Sequence, residues 1–83
     1  MTVYEIARKT QDEGAQLLKH REGNQYNCKP MGTGNNRGWT IIDSFTGSAI
    51  VQIHDALSLE NQAKYMNLPL TDLIDVTWKL ASR

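Results

Sequence analysis

Apolar residues recur at helical spacing near both ends of this 83-residue chain, with β-branched and aromatic runs between them. Val3, Ile6, Ala7, Thr10, Gly14, Leu17 and Leu18 share one helical stripe, which predicts a helix over Thr2–Arg21. Thr2 and Glu5 stand at capping-box spacing, where each side chain satisfies the other's free backbone donor. Lys19, His20 and Arg21 suit the negative end of the helix dipole, and Gly23 suits a C-terminal cap. Gly14 weakens the middle by about 1 kcal/mol relative to Ala. It marks either a close backbone approach or a break into two shorter helices.

Tyr26–Met31 and Gly38–Asp43 read as strands. Trp39-Thr40-Ile41-Ile42 is aromatic and β-branched, as a pleated surface prefers. The intervening Gly32-Thr33-Gly34-Asn35-Asn36-Arg37 tolerates positive φ, so the pair reads as a β-hairpin. Pro30 cannot donate to a ladder and puts the first strand at an edge. Ser48–Leu57 fits two patterns. As a strand it would point Ala49, Val51 and Ile53 at the core. As a helix capped by Ser48 it would align Ile50, Ile53, His54 and Leu57, and residue propensity favours this reading. Ser58–Met66 predicts a short helix with Ser58 as N-cap and Asn61 at the box position. Pro69 then separates it from a last helix ending at Ala81, with Leu70, Leu73, Ile74, Thr77, Trp78 and Ala81 on one stripe. The predicted fold class is α+β: an N-terminal helix, a short antiparallel hairpin, and two or three C-terminal helices in a single domain over residues 1–83.

Composition narrows function more by exclusion than by signature. The chain is 40% hydrophobic and 22% charged, typical of a folded domain rather than a disordered one. One cysteine, Cys28, excludes a disulfide within the monomer. There is no basic-then-apolar leader and no run long enough for a membrane span, which points to a soluble, cytoplasmic protein. Nine basic and nine acidic residues cancel, but unevenly. Residues 1–40 hold six basic against four acidic side chains, and residues 41–83 hold three against five.

No catalytic set stands out. His20 and His54 lack a companion at metal-ligand spacing, and neighbours such as His54 and Asp55 do not face each other on an ideal helix. Cys28, a histidine and Asp43 would make a nucleophile, base and orienter only if the fold brought them together. Asp12 with Glu13, and Asp72 with Asp75, offer too few oxygens for a hard cation and read as solvated helix faces. The glycine-rich loop lacks the following helix of a phosphate-binding loop.

A non-enzymatic interaction or regulatory role is therefore expected, with no cofactor and no metal, and with a larger protein as partner. Modulators or inhibitors from phages and mobile elements have this character. The candidate partner-binding residues are Asn35, Asn36 and Arg37, donors and acceptors on a loop tip. The alternative is nucleic-acid binding by a basic surface of Arg8, Lys19, Arg21, Lys29 and Arg37, with Tyr26 and Trp39 stacking on bases. Tyr65 and Trp78 are expected in the core. If the last helix's stripe is wider than the core covers, Tyr65, Leu70, Ile74 and Trp78 would form a homodimer contact.

Overall fold

The structure is a computed structural model and describes residues 1–32 and 34–82. Thr33, part of the glycine-asparagine loop, lies outside the described residues. The elements in chain order are α1 (Val3–Glu13), β1 (Gln16–Glu22), β2 (Gln25–Pro30), β3 (Thr40–Ile42), α2 (Ser44–Ala56), α3 (Leu59–Met66) and α4 (Leu70–Ala81). The three strands form one antiparallel sheet in the order β2-β1-β3. This is the α+β class, with one hairpin and helices before and after it.

The capping box expected at the chain's start is present. Glu5 N donates to Thr2 Oγ1 at 3.3 Å and Thr2 N donates to Glu5 Oε1 at 2.9 Å. The helix does not reach Arg21. It stops at Glu13 because Gly14 adopts φ 78°, which is incompatible with a continuing right-handed turn. Residues 16–22 form instead the central strand. The apolar stripe misled because Gln16, Leu17 and Leu18 are consecutive and all buried, which satisfies a helical pattern and a two-sided strand alike. Gly23 caps no helix; its φ of 55° turns the chain from β1 into β2.

The hairpin is therefore β1–β2, not the pair on either side of the glycine-rich loop. Both expected strands exist, but β1 lies between them, so residues 31–39 cross from one sheet edge to the other. Pro30 does close an edge strand. The segment with two readings is helical. It begins earlier than Ser48, because Asp43 Oδ1 accepts from Thr46 N at 2.8 Å and caps α2. Ser58 caps α3 as expected, accepting from Asn61 N at 3.3 Å.

Alternation divides the sheet into two faces. Gln16, Leu18, Tyr26, Cys28 and Ile42 line the inner one, where Leu18, Tyr26 and Ile42 join Val3, Ile6, Ala7, Ile50, Tyr65, Met66 and Leu73 in one core. The α1–α2 crossing is close because Gly47 is buried at it. A Cβ there would stand 3.0 Å from Ala7 O and 3.1 Å from Thr10 Cβ. Thr10 turns its hydroxyl into its own helix, donating to Ala7 O at 2.6 Å. Gln11 Nε2 bridges to Ser44 O at 3.1 Å.

Candidate binding surface

The outer sheet face carries Leu17 and Lys19 from β1, with Lys29 and Ile41 directly beside Leu17 on the two flanking strands. Leu17 lies outside the helix-facing core, yet it is 4% exposed. The crossing loop and the long side chains beside it cover this face. Lys29 Nζ donates to Asn35 O at 3.0 Å and stands 4.6 Å from the centroid of the Trp39 ring, with Lys19 Nζ at 5.9 Å. Both ammonium groups are within the range at which an indole attracts a cation, about 0.5–1 kcal/mol each at an exposed site. The loop is also held by its own polar groups. Asn35 Oδ1 accepts from Arg37 N at 2.9 Å, and Trp39 N donates to Asn36 O at 3.1 Å. Arg37 is exposed two residues before Trp39, and Met31 and Ile41 expose apolar surface at 57% and 46%.

Two sets of predicted residues thus converge. Lys19 and Lys29 of the basic set meet on one face, beside the loop that carries Asn35, Asn36 and Arg37. Arg21 falls at the irregular step between His20 and Glu22. Arg8 does not join them. It sits on α1, where its Nη1 donates to Tyr4 Oη at 3.1 Å. Nor does Tyr26 share the face with Trp39. It points into the core side of the sheet.

Charge follows the layers. From Gly14 to Ile42 the chain holds Lys19, Arg21, Lys29 and Arg37 against Glu22 alone, a net of +3. Because the whole chain is neutral, the remaining segments, almost entirely helical, carry −3. Splitting the chain at its midpoint showed only part of this separation, because α1 with Glu5, Asp12 and Glu13 belongs with the helices.

The other candidates lie elsewhere. Tyr65 is buried, as expected of a core residue, and its hydroxyl bonds to Thr77 Oγ1, which itself donates to Leu73 O at 2.6 Å. That leaves no surface on Tyr65 for a dimer contact. Leu70 and Ile74 are half-buried. Trp78 was expected in the core and is instead 44% exposed, since Leu73 and Thr77 take the inward positions of α4. Phe45 and Leu59, which the sequence did not single out, are more exposed still, at 81% and 83%.

His54 and Asp55 do meet, contrary to the ideal-helix expectation. They are in the last turn of α2, where Asp55 Oδ1 lies 3.2 Å from His54 Nδ1 and accepts from Tyr4 Oη at 2.9 Å. The Tyr4 and His54 rings stack at 3.8 Å. The hydrogen bonds from His54 and then Tyr4 hold the Asp55 carboxyl below its usual range. This group ties α1 to α2. Asp43 is committed to its cap, chiefly through the Thr46 amide, which lowers its pKa. Cys28 is half-buried, with Sγ 3.6 Å from Met1 Sδ. Among the described residues no three His, Cys, Asp or Glu side chains gather as a metal site, and no helix is long and apolar enough to cross a membrane.

Compared with known proteins, the chain matches no family model, no curated protein and no solved structure.

Proposed function

We propose that this chain is a non-enzymatic binding module that regulates a larger protein by docking its outer sheet face on an acidic segment of that partner. One observation supports the reading most. Lys19, Lys29, Trp39 and Arg37 lie on or beside one face, with no Asp or Glu between Gly23 and Ile42. Arg, Trp and Met are enriched at protein interfaces, and here Arg37, Trp39 and Met31 lie on one crossing loop next to exposed Ile41. The loop is braced by its own hydrogen bonds, which reduces the ordering cost of binding.

The test is quantitative capture of a partner from the native host by the wild type, Arg37→Glu, Trp39→Ala and Lys79→Glu. Lys79 is exposed on α4, so its variant makes the same change in net charge away from the loop. A protein retained by wild type and Lys79→Glu but lost with both loop variants, at unchanged melting temperature, supports the reading. Equal capture by all four removes it.

The same basic layer and indole favour a second reading, a single-stranded nucleic acid on this face. Nuclease treatment separates the two. A captured protein survives digestion of the lysate with nuclease, whereas a single strand is lost with it and binds as a purified oligonucleotide, with affinity falling by a log–log slope of about 0.7 per phosphate neutralised.

A further inference from the structure

A cavity of about 470 Å³ opens on the inner side of the sheet, where its far end meets the α3–α4 connection. Leu18, Tyr26 and Thr40 line it from the sheet, and Leu68, Leu70 and Thr71 from the helices. Its size is that of a small-molecule site.

Two independent features place unused hydrogen-bond donors there. Tyr26 is 5% exposed and lines the cavity, and its hydroxyl has no hydrogen-bond partner among the described residues. Burial alone pushes its phenol pKa up, with no hydrogen bond to offset it. The hydroxyl keeps access to the cavity, whereas that of Tyr65 is bonded to Thr77. The second feature is the start of α4. The N-cap there is Pro69, which supplies no side-chain acceptor, so the first-turn amides at the cavity wall are left uncapped. The other three helices are each capped by a Thr, Asp or Ser side chain. Asp72 follows in the same turn, but it is exposed and does not line the cavity.

We propose that this cavity binds a small organic carboxylate with an apolar body. The carboxylate accepts from the first-turn amides of α4 and from the Tyr26 hydroxyl, where the helix dipole also favours negative charge. The apolar body rests on Leu18, Leu68 and Leu70. The site does not depend on the outer-face reading, since it lies on the opposite side of the sheet.

The test is a ¹⁵N NMR titration of the full chain with 4-methylpentanoate, and with 4-methylpentanamide as the uncharged control, on wild type and Tyr26→Phe. The acid should shift the Leu70 and Thr71 amides, and the amide control should bind at least about tenfold more weakly. Tyr26→Phe should weaken the acid about two- to tenfold, the usual effect of one lost hydrogen bond, while its melting temperature holds or rises. No shift at millimolar acid, shifts away from α4, equal binding of acid and amide, or unchanged affinity in Tyr26→Phe would each overturn the proposal. The acid–amide comparison is made on wild type, so it stands whatever the variant does.

Discussion

A single carboxylate decides where α2 begins. Asp43 is exposed, yet it satisfies an amide that would otherwise lack a partner, and Asp43→Ala is expected to cost about 1 kcal/mol in urea denaturation. The same bond predicts a pH dependence. Glu5 and Asp43 are both held below their ordinary pKa values, chiefly by backbone amides. Their stabilisation is present above the unfolded carboxylate range, near about pH 4, and is lost as pH falls through the folded values. Thermal melts from neutral to acid should therefore decline below that range, and Asp43→Asn, which keeps a cap without the titration, should decline less. Gln16 predicts the opposite sign. Its Oε1 is buried without a partner, and its Nε2 makes only a 3.4 Å contact to Gly14 O. An unsatisfied buried acceptor costs about 1–3 kcal/mol, so Gln16→Met should hold or raise the melting temperature. The caps at Thr2 and Ser58 were legible in the sequence because each stands just before an apolar periodic run. Asp43 was not, because Ser48 offers an equally good cap one turn later.

The elements divide into those whose pattern admits one reading and those whose pattern admits two. α3 starts at the Ser58 cap and Pro69 separates it from α4, so these limits follow from the residues. β1 does not. Its three consecutive buried residues occupy both faces of a central strand, and no local signal separates that from a helical stripe. Only Gly14 hinted at the boundary, and the choice between a break and a close approach needs the tertiary fold. The close approach in fact belongs to another glycine, Gly47. Gly47→Ala would push a methyl against Ala7 O and the Thr10 side chain, so a loss of about 1–3 kcal/mol is expected by calorimetry, despite the better helix propensity of Ala. Ser48→Ala, one residue on and half-buried, should change stability far less, which isolates the helix crossing as the cause.

At the scale of the whole molecule, a neutral sum conceals a basic sheet layer and an acidic helical one. The candidate surface was half legible for this reason. Lys19, Lys29 and Arg37 could be named as basic residues of the N-terminal half. Their gathering around Trp39, and the exclusion of Arg8, follow only once β1 is central and the loop crosses over it. The separation predicts weak head-to-tail attraction between copies. The apparent size by light scattering should rise as salt is lowered, and Lys19→Glu with Arg37→Glu should abolish that rise.

The crossing loop has one more consequence. Its residues 34–38 are exposed, and it joins two portions of chain that hold each other in extensive contact, α1 against α2 and β1 against β3. A backbone cut between Asn35 and Asn36 would sever the covalent link while leaving both of those pairings intact. The two pieces, made separately, should then reassemble on mixing and regain the native spectrum, as a split protein does.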